Sequence, residues 1–469
     1  MVAERIFTLA DQRSFAALSG DFNPMHMDEV AARRTIFGAP VVHGVHLLCW
    51  ALESWLGSRG RPATALKSLT ARFKSGVLLG EAVRARMLSD EEEFTLRIER
   101  DQSEMVSIRG KLGATVAYSE TLPPMHPTEC RVMDPADVGQ ARGSLPLWYC
   151  AADASRLFPQ LCAALPPFQL AALLATTRLV GMECPGLHSL YMAMNLSFSE
   201  EAIGGPQLNF RVARVDFGVL RLAVDGPGFQ GSLQAFLRPA PRKQAAAREL
   251  AGLVSGDMFS DQRALVIGGS RGLGEVTAKL LAMGGADVTI TYHRGIADAE
   301  AVAAEINSAG GRCRVAQCDS NHPAPIALPQ PLTHFYYFAT PRIASDKTVA
   351  FSAERFAEYC RYYATGFART LLEVAQGVPT LDVFYPSTVF LDDAPAHMVE
   401  YCAAKAAGEE VCKQLAKNFA GWRMHAPRLP RMHTDQNNEP LPAKMEAPHI
   451  VILRHLLEID RSRRNVSLV

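Results

Sequence analysis

A short strand, a glycine-rich turn, a helix and a second strand follow one another within residues 264–292, and this order restricts the fold more than any other feature. Residues 264–267 and 287–292 are rich in the apolar and β-branched side chains of buried strands, and residues 275–283 have helical spacing. Strands that alternate with helices in this way form a parallel, doubly wound sheet. We therefore expect an α/β domain over residues 261–469.

The turn after the first of these strands contains Gly268, Gly272 and Gly274. In such a turn the first glycine permits the tight bend, the second lets the backbone approach a pyrophosphate, and the third allows the helix to pack closely on the strand. The helix that follows presents N–H groups and the positive end of its dipole to the phosphates. The residues that we expect to bind a dinucleotide here are Gly268, Ser270, Arg271, Gly272, Leu273 and Gly274.

The end of the second strand indicates which dinucleotide is bound. An NAD site places a carboxylate there for the ribose hydroxyls, whereas this chain has His293 and Arg294. A cation at this position suits the 2′-phosphate of NADP, and Arg271 could supply a second one. We predict NADP(H) as the cofactor, and the alternative is that Arg294 is a solvated loop residue.

Tyr401 and Lys405 form a Tyr-x-x-x-Lys pair in a segment with helical spacing. Residues i and i+4 share one face of a helix, so the ammonium group is expected to lie near the phenol. A nearby cation lowers the pKa of a phenol and lets it act as a proton donor or acceptor. The pair therefore predicts a catalytic tyrosine that is activated by its lysine.

The glycine spacing G-x-x-x-G-x-G and the Tyr-x-x-x-Lys pair together resemble those of the short-chain dehydrogenases/reductases. The resemblance implies a catalytic hydroxyl upstream of the tyrosine, where Thr388 and the adjacent Ser387 follow a strand-like segment. Either hydroxyl could bind the carbonyl oxygen of the substrate. The resemblance also implies that Asp319 contacts the adenine, and that Tyr401 and Lys405 touch the cofactor as well as the substrate.

Three positions depart from the pattern of that family. Residues 338–341, Phe-Ala-Thr-Pro, replace its Asn-Asn-Ala-Gly, and Pro427-Arg428 replaces its Pro-Gly. Its catalytic asparagine aligns with Tyr363, which cannot reproduce an amide, so the usual proton-relay water is expected to be missing. We expect the fold to tolerate these changes and the reductase activity to be weakened by them.

A second motif lies near the other end of the chain. Residues 19–26 read Ser-Gly-Asp-Phe-Asn-Pro-Met-His, and residues 42–44 read Val-His-Gly. Together with Ala32 and the Arg72-Phe73 pair, this string resembles the (R)-specific enoyl-CoA hydratases of the MaoC-like hotdog family. The tyrosine that often precedes the motif in that family is absent here.

The resemblance implies roles for three residues. Hydration of a 2-enoyl thioester needs a base that takes a proton from water and an acid that protonates the α-carbon, and Asp21 and His26 could share that water. The N–H of Gly44, at the start of an apolar helix, would stabilise the enolate-like charge on the thioester oxygen. The alternative is that the motif is only a turn with a packed histidine beside it.

The same plan recurs along the first half of the chain. Residues 1–122 are predicted to be one α+β unit, and a proline-rich connector follows at residues 121–127. Residues 145–240 repeat the order of a long helix, here 167–182, followed by strands, but they lack the Asp-to-His string. The predicted architecture is multidomain, an α+β double hotdog followed by the α/β Rossmann-type sheet. The helical residues 169–180 of the second unit either line a substrate tunnel or have a purely structural role.

Charge and composition exclude several classes of partner. Lys+Arg and Asp+Glu balance at 48 each, so bulk charge gives no argument for nucleic acid or an anionic membrane. The most apolar run, residues 165–180, is interrupted by Gln169, Thr176, Thr177 and Arg178, so we expect no membrane span. Cysteines lack a CxxC pair and histidines lack a metal-ligand pattern, which favours free thiols, a cytoplasmic location and no metal site.

Both predicted chemistries act on the same β-carbon at neighbouring oxidation levels. We therefore predict a bifunctional enzyme that interconverts 3-oxoacyl and (3R)-3-hydroxyacyl thioesters with NADP(H), and (3R)-3-hydroxyacyl and trans-2-enoyl thioesters with water. The thioester could be carried by CoA or by acyl-carrier protein, and we expect a homodimer or a higher homo-oligomer. Two alternatives stay open, a hydratase with an impaired reductase domain and an acyl-thioester-binding scaffold without activity.

Overall fold

The computed structural model describes residues 2–58, 64–90, 93–114, 117–241, 243–326, 328, 332–343, 351–393, 395, 397–434 and 445–466. The chain divides into two compact units, Met1–Ala240 and Pro241–Val469. Among the described residues, no helix is both long enough and apolar enough to cross a membrane.

The first unit consists of two halves with the same order of elements. The first half contains β1 (Val2–Ile6), α1 (Leu9–Ser19), α2 (Glu29–Ala32), α3 (Gly44–Gly57), β2 (Ala65–Phe73), β3 (Ala82–Asp90), β4 (Phe94–Arg100) and β5 (Ser103–Gly113). The second half contains β6 (Arg142–Pro146), α4 (Ala151–Leu157), α5 (Pro159–Ala164), α6 (Pro167–Arg178), β7 (Ser189–Phe198), β8 (Gln207–Asp216), β9 (Val219–Gly226) and β10 (Phe229–Leu237). In each half a long apolar helix, α3 or α6, precedes four antiparallel strands.

The strands of both halves form one sheet. Its ten strands within the described residues have the order β1-β3-β4-β5-β2-β7-β10-β9-β8-β6. Read outward from the centre, β2-β5-β4-β3-β1 in one half corresponds to β7-β10-β9-β8-β6 in the other. The halves join where β2 pairs antiparallel with β7, which sets Leu69 opposite Leu196. The predicted double-hotdog class of this part of the chain is confirmed.

The two long helices lie inside the unit and share one core. All residues from Phe168 to Arg178 are buried, and Trp55 of α3 belongs to the same apolar cluster as Leu174 of α6. Burial of one such side chain contributes about 1.5–3 kcal/mol before entropy losses. The cluster therefore holds the two halves together as one folding unit.

The two long helices begin at the predicted residues, but the second ends differently. The first apolar helix begins at Gly44, because the N–H of Val42 donates to the carbonyl of Val77 at 2.9 Å and holds the preceding segment extended. The second ends as an α-helix at Arg178 and continues as a π-helix over Leu179–Glu183.

The second unit alternates strands and helices as predicted. Its elements are α7 (Ala247–Leu250), β11 (Arg263–Ile267), α8 (Gly272–Met283), β12 (Asp287–Tyr292), α9 (Ile296–Ser308), β13 (Arg312–Gln317), β14 (His334–Tyr337), α10 (Ala353–Cys360), α11 (Phe367–Val374), β15 (Leu381–Phe384), β16 (Ser387–Thr388), α12 (Phe390–Asp393), α13 (Val399–Asn418), β17 (Trp422–His425), β18 (Arg428–Leu429) and α14 (Pro448–Val466). A π-helix, Arg361–Gly366, joins α10 to α11.

The sheet of the second unit is parallel. Its six strands within the described residues have the order β13-β12-β11-β14-β15-β17. Strand order reverses between β11 and β14, and ligands of such sheets bind at the carboxyl ends of the strands beside this switch point. The predicted Rossmann-type, doubly wound class is confirmed, and the glycine-rich turn lies at that edge.

Candidate active sites

The fold of the Asp-to-His string buries its two titratable side chains. Helix α1 ends at Gly20 in the left-handed conformation (φ 76°), which favours glycine, and the chain then turns into the first unit. The side chain of Asn23 accepts a hydrogen bond from the N–H of Met25 at 3.1 Å and caps the short 3₁₀ helix Pro24–His26. As a result Asp21 is only 1% exposed and His26 only 7% exposed.

The carboxylate of Asp21 is held from both halves of the first unit. Its Oδ1 accepts from the N–H of Asn23 at 3.2 Å, and its Oδ2 accepts from the hydroxyl of Thr177 on α6 at 2.7 Å. A Cβ on Gly181, in the π-helix of the second half, would overlap this carboxylate. The second half therefore forms one wall of the site.

Burial decides the pKa of Asp21. Desolvation raises it, and the opposing influences of His26, the Thr177 hydroxyl, the Asn23 N–H and Arg178 do not fully compensate. The carboxyl group of Asp21 consequently ionises at a higher pH than an ordinary aspartate.

His26 is oriented by a backbone carbonyl. Its Nδ1 lies 2.8 Å from the carbonyl oxygen of Val41, so Nδ1 carries the proton and donates it, and Nε2 keeps its lone pair. Burial lowers the pKa of His26, with Asp21 acting in the opposite direction. The ring is therefore neutral at physiological pH and can accept a proton at Nε2.

Asp21, His26 and His43 form a compact group. One ligand atom from each lies within 4.8 Å of the others, and the His43 ring stacks on His26 with centroids 3.7 Å apart. Both nitrogens of His43 are already used, since Nδ1 lies 2.8 Å from Gln12 Oε1 and Nε2 lies 3.0 Å from the carbonyl oxygen of Asp21. This leaves Asp21 and His26, which suit a shared water better than a metal ion.

Gly44 occupies the position expected of a backbone donor. It is the first residue of α3, so its N–H has no acceptor within the helix. A Cβ here would lie 2.9 Å from the ring of Phe73, which in turn packs 5.1 Å from Tyr191 of the second half. The Cα of Gly44 therefore lies against an aromatic wall to which both halves contribute.

Thr177 and Gly181 are contacts that the sequence did not predict. The only signal was that Thr177 and its polar neighbours interrupt an apolar helix, where buried hydroxyls require partners. The π-helix that brings Gly181 to Asp21 left no recognisable pattern.

The three glycines of the turn in the second unit have different surroundings. A Cβ on Gly268 would lie 2.9 Å from the backbone of Phe338, and one on Gly274 would overlap the carbonyl of Gly268. Gly272, with φ 60°, begins α8, and a Cβ there would meet nothing within 4 Å. Close packing thus requires two of the glycines, while Gly272 leaves the helix N-terminus open to a phosphate.

The other predicted cofactor residues gather at the same edge of the sheet. Ser270 and Arg271 lie in the turn, and the partly buried Leu273 packs against the core of the unit. His293 and Arg294 follow β12, and His293 Nε2 lies 3.6 Å from the carboxylate of Asp319, which follows β13. The predicted residues of the turn and of the two strand ends therefore lie in one region of the second unit.

Thr388 and Ser387 have different partners. The Oγ1 of Thr388 accepts from the N–H of Phe390 at 3.2 Å, and the Thr388 side chain lowers the pKa of Tyr401 on α13. The hydroxyl of Ser387 instead donates to Glu409 at 2.5 Å, and Arg428 binds the same carboxylate at 3.0 Å. Of the two hydroxyls that the sequence left open, Thr388 adjoins the tyrosine.

The expected effect of Lys405 on Tyr401 is not observed. Burial raises the pKa of Tyr401 to about 12, and the side chain of Thr388 lowers it only in part. Lys405 is itself buried, which lowers its pKa to about 7, and its Nζ donates to the carbonyl of Pro386 at 2.6 Å. Its Nζ lies 6.0 Å from the Tyr401 ring centre but 4.1 Å from that of Tyr363. The prediction of a lowered tyrosine pKa was therefore wrong, because burial dominates the pKa of Tyr401 and Lys405 contacts the carbonyl of Pro386 and the ring of Tyr363 instead.

Two departures from the family pattern contact each other. The hydroxyls of Tyr363 and Thr340 share a hydrogen bond of 2.5 Å. Tyr363 lies in the π-helix, and its carbonyl accepts from the hydroxyl of Tyr385 at 3.0 Å. The residues that replace the family's polar ones therefore form hydrogen bonds with each other and with Tyr385.

Comparison with known families agrees with both motifs. Residues 2–106 match the family model described as MaoC like domain, and residues 262–327 match the one described as short chain dehydrogenase. An (R)-specific enoyl-CoA hydratase of Aeromonas caviae is 40% identical over 84 residues, which are 17% of this chain and 60% of that protein. Protein MaoC of Klebsiella aerogenes is 36% identical over 88 residues, 19% of this chain and 26% of its own length. The chain thus spans less than two thirds of either relative.

Solved structures are similar to the second unit. A short-chain dehydrogenase from Burkholderia cenocepacia, in complex with NADP, has 22% identity and a TM-score of 0.39, covering 43% of this chain and 91% of that one. A 3-oxoacyl (acyl-carrier-protein) reductase from Agrobacterium tumefaciens, with NADP bound, has 19% identity and a TM-score of 0.35, covering 40% and 77%.

Proposed function

We propose that this chain, which joins a MaoC-like domain to a short-chain dehydrogenase domain, is a bifunctional enzyme of acyl thioesters. The first domain would interconvert trans-2-enoyl and (3R)-3-hydroxyacyl thioesters, and the second would interconvert 3-hydroxyacyl and 3-oxoacyl thioesters. The observation that carries the proposal is the buried pair of Asp21 and His26, whose side chains lie close enough to share one water. Similarity to the Aeromonas hydratase over this segment supports it.

The hydratase step follows from the orientation of these groups. One water would donate hydrogen bonds to the carboxylate of Asp21 and to Nε2 of His26. Its oxygen adds to the β-carbon of the enoyl thioester, and the proton it loses to one of these bases is delivered to the α-carbon. The N–H of Gly44 would donate to the thioester oxygen, which carries enolate-like charge during the addition. The net change is addition of one water across the double bond.

The reductase step assigns roles to the second unit. We propose NADP(H) as the cofactor, held by the open turn at Gly272, with Arg271, His293 and Arg294 neutralising the 2′-phosphate. When bound, NADPH supplies a hydride to the carbonyl carbon. Tyr401, protonated because its pKa is about 12, would donate its proton to the carbonyl oxygen that the Thr388 hydroxyl positions.

The wider context of the activity is part of the proposal. The substrates are acyl thioesters of CoA or of acyl-carrier protein, the location is the cytoplasm, and the assembly is at least a homodimer. An NADPH-dependent reductase would run in the reductive direction, so its hydroxyacyl product is the substrate that the first domain dehydrates.

A coupled assay tests both activities in the full-length chain. NADPH absorbance is followed with acetoacetyl-CoA, the thioester products are analysed by mass, and crotonyl-CoA hydration is measured separately. The proposal expects NADPH consumption with both 3-hydroxybutyryl and crotonyl products. Asp21→Asn should remove the crotonyl product while NADPH consumption persists. Tyr401→Phe should abolish NADPH consumption, and with it both products from acetoacetyl-CoA, while the separately measured hydration of crotonyl-CoA persists. Acyl-carrier-protein thioesters are tried in parallel, and lack of turnover with either carrier would refute the enzyme and favour the binding scaffold.

A second candidate, a hydratase whose reductase domain is impaired, is favoured by one observation. Lys405 is buried, has a pKa of about 7 and lies nearer to Tyr363 than to Tyr401. A lysine that is half neutral and packs closer to another ring than to that of the tyrosine assists proton transfer poorly. Crotonyl-CoA hydration without NADPH consumption would select this candidate.

A further inference from the structure

Helix α6 contains four buried polar residues in a half that lacks the Asp-to-His string. The N–H of Leu66 donates to Oε1 of Gln169 at 2.8 Å, and Nε2 of Gln169 donates to the carbonyl of Leu66 at 2.9 Å. The hydroxyl of Thr176 donates to the carbonyl of Leu173 within its own helix, at 2.7 Å. Thr177 differs from both, because its hydroxyl donates to a titratable side chain of the first half, the carboxylate of Asp21, at 2.7 Å.

The π-helix Leu179–Glu183, which follows α6, contacts the loop that contains Asp21. The side-chain amide of Asn23 donates to the carbonyl of Gly181 at 2.8 Å, and the N–H of Phe22 contacts the sulfur of Met182 at 3.2 Å. A π-turn is energetically unfavourable and occurs frequently at functional sites. Here its consequence is that Gly181, with no side chain, faces the carboxylate.

Arg178, the next residue on the helix, adds a positive charge to this wall. Its guanidinium lies 3.5 Å from the centre of the Trp148 ring and donates to the carbonyl of Pro146. Its charge, like the Thr177 hydroxyl, favours the ionised form of Asp21, whereas burial favours the neutral form. The two residues that the second half places beside Asp21 therefore act in the same direction.

We propose that Thr177 is a positioning residue of the hydratase site, through which the second half fixes the orientation and the ionisation of Asp21. The inference rests on the proposed hydratase function. Thr177 holds Oδ2 at 2.7 Å and the N–H of Asn23 holds Oδ1 at 3.2 Å, so a contact from each half fixes the plane of the carboxylate that would share a water with His26. A hydrogen bond that holds a carboxylate in a buried site also keeps it charged, and removing the donor leaves the charge uncompensated. The second half would then be neither a tunnel lining alone nor only a structural cover.

The test compares three variants of the full-length chain. Thr177→Val keeps the shape but removes the hydroxyl, Thr177→Ser restores it, and Thr176→Val removes a neighbouring buried hydroxyl that does not reach Asp21. For crotonyl-CoA hydration, Thr177→Val should lower kcat about tenfold or more with little change in KM, and should move the acid limb of the pH profile up by about one unit. Thr177→Ser should restore the profile, and Thr176→Val should leave the acid limb in place.

A second readout does not depend on activity. The carboxyl carbon of Asp21, labelled with ¹³C at aspartate and assigned with Asp21→Asn, is titrated by NMR in the native chain and in Thr177→Val. The proposal expects a higher midpoint in the variant. An unchanged midpoint, or an equal rise in Thr176→Val, would overturn it. If the native chain hydrates no enoyl thioester, the proposed function fails, while the NMR titration still decides whether Thr177 controls Asp21.

Discussion

The two candidate sites are supported in different ways. In the first unit, Asp21 receives hydrogen bonds from its own loop and from Thr177, so a second structural half reinforces the motif. In the second unit, Tyr401 and Lys405 keep their spacing, but Lys405 binds the carbonyl of Pro386 and lies against Tyr363. One motif is thus reinforced by its surroundings, whereas the other is surrounded by substituted residues. The chemistry of a motif depends as much on the groups around it as on its own residues.

The largest effect that would sharpen this comparison is expected from Gly181→Ala. The added Cβ would overlap the carboxylate of Asp21, and a displacement of about 1 Å at a catalytic group can cost on the order of 100-fold in rate. Crotonyl-CoA hydration should fall by that order, while NADPH binding is retained. Gly205→Ala is the matched control, because a Cβ there meets nothing within 4 Å. Normal hydration by Gly181→Ala would show that the second half does not support the site.

A smaller effect is expected in the second unit when the hydroxyl of Thr388 or that of Ser387 is removed. Thr388→Val should lower the rate of acetoacetyl-CoA reduction about tenfold or more, because the Thr388 side chain interacts with Tyr401 and lowers its pKa. Ser387→Ala should change that rate much less, because its hydroxyl is bound to Glu409. Steady-state reduction by both variants measures the difference, and the opposite ranking would assign the substrate contact to Ser387.

Asp21 and His26 should together produce only an acid limb in the pH profile of hydration. Activity needs an ionised Asp21 and a neutral His26, and burial raises the pKa of the first and lowers that of the second. Both groups therefore lose their active form as the pH falls, and kcat/KM should drop about tenfold per pH unit once the first of the two groups is protonated. Initial rates of crotonyl-CoA hydration from acidic to alkaline buffers measure the profile. An alkaline limb that disappears in a His26 variant would contradict a neutral His26.

The smallest effect concerns whether the substituted residues of the second unit support one another. Tyr363→Phe and Thr340→Val each remove one partner of the 2.5 Å hydrogen bond, so the double variant should lose less stability than the sum of the two. The interaction free energy is expected to be about 1 kcal/mol, from urea unfolding of the four chains. Additive losses would mean that the two hydroxyls do not stabilise each other.

The sequence predicted the elements of the fold and led to the candidate site residues, because both follow from local patterns. Asp21 and His26 lie within one short string, and Tyr401 and Lys405 within one helix. The interactions that set their pKa values could not be predicted, since they come from residues distant in the chain. Thr177 reaches Asp21 only because two halves pack together, and Tyr401 is desolvated by rings such as Tyr359 and Tyr363. The choice between Ser387 and Thr388 also needed the structure, because neighbouring strand residues face opposite sides.

The junction of β2 with β7 has a consequence for how such a site can evolve. In a symmetric pair of identical subunits, each substitution appears on both sides of the interface, so a residue that helps one copy must be tolerated by the other. Here the two halves are encoded separately and are present in equal number in every molecule. The half without the Asp-to-His string is therefore free to diverge, and a threonine and a glycine could be selected there for the benefit of an aspartate that the other half alone retains.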